Sequence, residues 1–139
     1  MRKNRRAQTS IEYMLVFAIT IALIAAIMVP GLRELEVQLA LGGARIGGEN
    51  FASANPYYSL GRIEYSTNYI TSTINISPRF LLRGSSTAPA EDWVAAQNTS
   101  FTACRKVFAP NDNTESADYC FAASYYTYCI SPVISKSTT

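Results

Sequence analysis

Between Met14 and Val29 the chain runs through sixteen residues, MLVFAITIALIAAIMV, of which only Thr20 is polar. As a helix this run measures about 24 Å, or about 28 Å counted from Ile11, close to the ~30 Å hydrocarbon core of a bilayer. It has no polar face, so it is expected to span a membrane rather than to line one side of a soluble core. Four of the 12 Lys and Arg residues, Arg2, Lys3, Arg5 and Arg6, stand directly ahead of it. Such a cluster stays cytoplasmic and sends the rest of the chain outward. An ordinary secretory signal would need a small-residue cleavage site soon after the run. The residues there are Pro30-Gly31-Leu32-Arg33-Glu34-Leu35-Glu36, and the nearest A-x-A match, Ala52-Ser53-Ala54, lies far downstream.

Composition narrows the function classes. The chain has 139 residues, one domain's worth of head at most, and no histidine. Ser-His-Asp and Cys-His catalysis, histidine metal ligands and the commonest neutral-pH base are therefore excluded, and no catalytic residue, cofactor or metal site is expected. Once the first six residues are set aside, 8 basic residues face 10 acidic ones, a balance of −2, and no basic stripe interleaves with the aromatics. A nucleic-acid surface is not expected. Ser and Thr number 26, all after Ala7, a hydroxyl-rich composition that suits an extracellular setting.

Helical character continues beyond the apolar run. Leu32, Leu35 and Leu39 recur at i, i+3 and i+7, which predicts an amphipathic extension ending at Gly42-Gly43. A helix over 8–41 would be about 51 Å long, with Pro30 removing one ladder bond and bending it. Glu12 at the mouth of the run is out of place in a simple anchor, because a carboxylate in hydrocarbon costs about 2.5 to 3.5 kcal/mol. It calls for a cationic partner, or else lies solvated among the headgroups.

The stretch Arg5-Arg6-Ala7-Gln8-Thr9-Ser10-Ile11-Glu12-Tyr13, followed by an apolar helix, resembles the class III signal peptide of archaeal type IV pilins. That family's pattern is basic residues, a small residue, then Q-x-S-x-E-Y, matched here by Gln8, Ser10, Glu12 and Tyr13. The resemblance covers about the first 35 residues, and the family often has glycine where Ala7 stands. It implies removal of a basic leader, residues 1–7, by a membrane-embedded prepilin peptidase cutting between Ala7 and Gln8. It further implies that Glu12 meets the new N-terminal amine of Gln8 on a neighbouring subunit, a cation that the apolar segment itself lacks once the leader is gone. Ala18, Ala22 and Ala26, every fourth residue, would allow close helix packing in a homopolymer. Such a head-to-tail contact need not close.

After the glycines Gly42, Gly43, Gly47 and Gly48, read as a hinge over 42–50, the pattern turns to short alternating runs. Residues 63–67, 69–76, 79–82, 101–108, 119–122 and 125–130 are expected as strands, with Ser77-Pro78, 83–86 and 109–113 as turns. The fold class predicted is α+β: a long N-terminal hydrophobic helix followed by a small antiparallel β-sandwich head domain over 51–139. Residues 91–98 fit either a helical turn or an irregular loop.

Three cysteines lie in the last third. If 101–108 and 119–122 form a hairpin, Cys104 falls opposite Cys120, and this disulfide is favoured, with the other two pairings left open. Two sequons occur, Asn98-Thr99-Ser100 and Asn75-Ile76-Ser77, and Pro78 disfavours the second, leaving Asn98 as the glycosylation candidate. The head's tyrosines suit a core or subunit interface more than an adhesive surface.

The resemblance implies the major structural subunit of an adhesive archaeal pilus, held in the cytoplasmic membrane before assembly and in an extracellular filament after it. Its expected partners are further copies of itself, the prepilin peptidase, the assembly machinery and the membrane. The alternatives are a monomeric membrane-anchored binding module, an archaellin-type filament subunit and, with no paired motif behind it, an anchored hydrolase.

Overall fold

The computed structural model describes residues 3–84, 88–111 and 118–136, with side chains described from Ile11 onward. It forms an α+β chain of two units, 1–35 and 36–139. Its elements in order are α1 (Lys3–Ala54), β1 (Tyr58–Asn68), β2 (Thr73–Leu82), α2 (Ala90–Phe108), β3 (Cys120–Ala122), β4 (Thr127–Ile130) and β5 (Val133–Lys136).

The described part of the first unit is the N-terminal part of α1, helical from Lys3 and continuing through Pro30 without ending. In the second unit the rest of α1, α2 and the sheet bury two hydrophobic clusters, one around Ile74, Cys104 and Tyr128 and one around Phe51 and Phe80. The buried face of α1 is Glu36, Val37, Ala40, Gly43, Ala44, Gly47, Gly48 and Phe51, whereas Leu32, Leu35 and Leu39 keep 44%, 55% and 45% of their surface exposed. The leucine stripe is therefore not the face that packs within the head. The glycines also do not make a hinge. A Cβ on Gly43 would lie 2.7 Å from the Cys104 Cα, and one on Gly47 only 2.5 Å from the Ser100 Cα. Both glycines let the backbones of α1 and α2 approach, so the helix runs through them to Ala54 instead of stopping at Gly42.

Residues 101–108, expected as a strand, form the second half of α2, and residues 91–98 form its first half. Read as one segment, Ala96, Gln97, Ser100, Phe101 and Cys104 are its buried side chains, a helical period hidden when the two pieces are read apart. Because α2 lies between β2 and β4, those strands are joined by a helical crossover and pair in parallel. The sheet is mixed. Its order is β1-β2-β4-β3, with β1 antiparallel to β2, β3 antiparallel to β4, and β5 parallel to the second half of β2. The antiparallel sandwich is thus corrected to one mixed sheet.

Strand β2 passes through Ser77-Pro78 without turning. Pro78 cannot donate to the ladder, and the register of β1 slips between Leu60 and Ile63, directly opposite it, which accommodates the missing donor. The residues Ile74, Ile76, Pro78, Phe80 and Leu82 alternate into the core, where Tyr128 and Ile130 from β4 join them. Phe80 also meets Phe51 of α1 edge to face, with ring centroids 5.1 Å apart.

Helix contact at this spacing makes a sharp prediction. Gly47→Val should lower stability by roughly 1 to 3 kcal/mol or more through overpacking. Gly42→Ala, where a Cβ meets nothing within 4 Å, should be neutral or raise stability by up to about 1 kcal/mol. Thermal unfolding followed by circular dichroism separates the two.

Candidate functional site

Two places carry unusual chemistry: the apolar surface of α1 and a buried carboxylate in the head. Along the first unit the large apolar side chains from Ile11 to Met28 keep 51–76% of their surface exposed. A helix so long and apolar is able to cross a membrane. Thr20 does not interrupt it, since its hydroxyl donates to the Val16 carbonyl at 2.8 Å within the same helix. Ala18, Ala22 and Ala26 are exposed at fourfold spacing.

Glu12 is exposed within this surface. Among the described residues no cation lies within ion-pair distance of it. Lys3, Arg5, Arg6, Ala7 and Gln8 belong to helical backbone, and their side chains, like all of Arg2, lie outside the described residues.

In the head, Glu36 is buried at 6% exposure. Its oxygens accept the Tyr125 N–H at 3.2 Å and the Tyr126 N–H at 3.2 Å, and Oε1 also accepts the Tyr128 hydroxyl at 3.3 Å. Helix α1 supplies the acid, and the segment leading into β4 supplies the donors. Burial first, and then the Glu36 carboxylate, push the Tyr128 phenol well above the ordinary tyrosine value. Sequence reasoning missed this centre. The available signal was an acid beside Val37 on a face otherwise made of small and apolar residues.

A second acid secures the other end of the core. The Tyr58 hydroxyl donates to Asp92 at 2.6 Å, and burial together with that carboxylate pushes Tyr58 up to about 12. Trp93 Nε1 donates to the Pro132 carbonyl at 3.0 Å and Gln97 Nε2 to the Ile130 carbonyl at 2.8 Å, tying α2 to the chain around β4.

The disulfide joins Cys120 to Cys129, not Cys104 to Cys120. Cys120 and Cys129 are directly opposed in the β3–β4 ladder, on the sheet face away from Tyr128 and Ile130. Cys104 is on α2 at the helix seam, free and buried, with its thiol donating to the Ala40 carbonyl at 3.2 Å. Burial pushes that thiol from its ordinary value of 9.0 up to about 12. The favoured pairing failed because it assumed a strand where α2 runs.

Asn98 is exposed on α2, and Asn75 is exposed on β2. Among the described residues no group of three or more Cys, Asp or Glu side chains gathers to hold a metal ion. No family model, curated protein or solved structure matches this chain.

Two outcomes are expected for the head. Glu36→Leu should cost roughly 2 to 4 kcal/mol, since it strands a buried phenol and two half-buried N–H groups, with the loss read from chemical unfolding. Cys104, Tyr58 and Tyr128 are held neutral in the fold but ionise near pH 9 to 10 once unfolded. Their raised values therefore contribute stability that is fully present below pH 9. It is lost as pH rises from 9 through about 12. A melting temperature flat across pH 9 to 12 would contradict this.

Proposed function

We propose that the chain is the major structural subunit of an archaeal type IV pilus. The basic leader is removed between Ala7 and Gln8 by the prepilin peptidase, and α1 then polymerises into an extracellular filament used for adhesion. The membrane stores the subunits before the assembly machinery extracts them.

One observation carries this reading. Exposed apolar side chains extend along α1 from Ile11 past the membrane-crossing run to Leu32, Leu35, Leu39 and Ile46. Within the first unit alone, from Ile11 to Leu35, the helix rises about 36 Å, beyond the ~30 Å that a bilayer covers. A lone anchor has no reason to keep the upper part of that surface greasy. A bundle of identical helices covers the surface from Ile11 to Leu39 and needs no change of environment on leaving the membrane. Glu12 then acts as the register mark, since a carboxylate in low dielectric selects the one axial offset that brings an ammonium to it.

The monomeric anchor remains the second reading, resting on the same apolar run taken alone. Glu12→Gln separates the two in cells. The pilus reading predicts that the processed protein accumulates in the membrane and that filaments fall at least tenfold by electron microscopy and by shearing. Unchanged filament yield would refute the role given to Glu12, and cells that never form filaments from the unsubstituted chain would favour the anchor.

A further inference from the structure

The head carries, at two separate places, a projecting apolar pair and a groove of matching chemistry. Residues Tyr65 to Pro78 include no charged side chain. The β1–β2 turn in the middle of that stretch presents Tyr69 at 82% and Ile70 at 96% exposure. The turn is firmly built. Asn68 Oδ1 accepts the Ile70 N–H at 3.0 Å, Ser72 takes a positive φ of 50°, and its carbonyl accepts the Thr127 N–H at 2.9 Å. A charge-free tip fixed with its two largest apolar side chains outward is arranged to be desolvated by something.

The groove, about 500 Å3 in volume, lies between α1 and α2. Ile46 and Ala103 give it an apolar part, while Asn50, Asn98, Thr102 and Lys106 supply donors and acceptors for a tyrosine hydroxyl. It holds no acid. An uncharged Tyr–Ile pair therefore suits it, having no charge to strip of water and one hydroxyl to satisfy.

The two features sit at separate places on the head. The tip joins β1 to β2, which begins beside Thr127, whereas Ile46 and Asn50 lie on α1, 10 and 14 residues beyond Glu36, a rise of roughly 15 to 21 Å along the helix. A knob and a hole on one molecule pair either reciprocally, as a closed two-fold dimer, or head to tail, as an open polymer, and the filament reading selects the second.

We propose that the Tyr69–Ile70 tip of one copy seats in the α1–α2 groove of the next, fixing the axial rise between heads. The proposal rests on the filament reading and adds a second contact to it. One tyrosine and one isoleucine bury only a few hundred Å2, about 150 to 250 Å2 of it from the aromatic, well below the ~1,200 Å2 of a self-sufficient interface. The tip therefore sets register, and the helices supply the adhesion between copies.

The test is a pair of cysteines in the full-length chain, Ile70→Cys with Thr102→Cys, in cells that assemble filaments. The native cysteines add no background, since Cys104 is buried and Cys120 is bonded to Cys129. After mild oxidation, a non-reducing gel should show a multimer ladder from the double variant and none from either single one. Filaments visible by microscopy without a ladder would overturn the seat while leaving the pilus reading intact. A dimer band from Ile70→Cys alone would overturn it in favour of tip against tip, and a dimer without higher multimers from the double variant would overturn it in favour of a closed two-fold contact. A glycan on Asn98 in assembled filaments, seen as a mass increment on its peptide, would also overturn it, because the sugar would fill the groove. Absence of filaments from the unsubstituted chain would overturn both proposals together.

Discussion

Water tolerates scattered apolar side chains on a protein surface, but not a cylinder of them. Fully covering each Leu, Ile, Val, Phe or Met is favourable by about 1.5 to 3 kcal/mol. From Ile11 to Met28 nearly every large side chain of α1 is uncovered. The sum dwarfs the 5 to 15 kcal/mol by which a domain is stable. Such a surface calls for an apolar cover, and the helix is long and apolar enough for a membrane to supply it. The proposed cover is lipid before assembly and neighbouring helices after it.

The head solves a different problem on the same helix. From Glu36 onward α1 presents small residues, and Gly43 and Gly47 bring its backbone against that of α2 at distances a methyl group would forbid. The close approach leaves little room for side-chain interlocking, and polar ties complete the core. Glu36 gathers the chain before β4, Asp92 holds Tyr58, and Gln97 and Trp93 bind α2 to the strands. Since α2 provides the crossover between β2 and β4, the helix seam and the parallel pairing follow from each other.

The apolar N-terminal helix was legible because one physical signal, uninterrupted hydrophobicity, dominates every local preference there. The head was less legible. Residues 91–108 divided into an ambiguous piece and an apparent strand, since Phe101, Cys104 and Phe108 alternate with polar residues loosely enough to fit either period. The glycines were taken for a break because glycine disfavours helix in isolation. Tertiary contact reversed that preference, which no local pattern of residues reports. Misplacing α2 then carried through to the disulfide and to the sandwich. Strands at 63–67, 79–82 and 119–122 were recovered, the last as Cys120–Ala122, since their alternation needs no distant partner to be read.

The account stands on one charge pair: a carboxylate at position 12 and an ammonium that only cleavage before Gln8 can create. The most direct test is to shear filaments from cells and determine the first residue of their major subunit by mass spectrometry. The account predicts a chain beginning at Gln8. Filaments built from subunits that still begin at Met1 would contradict it.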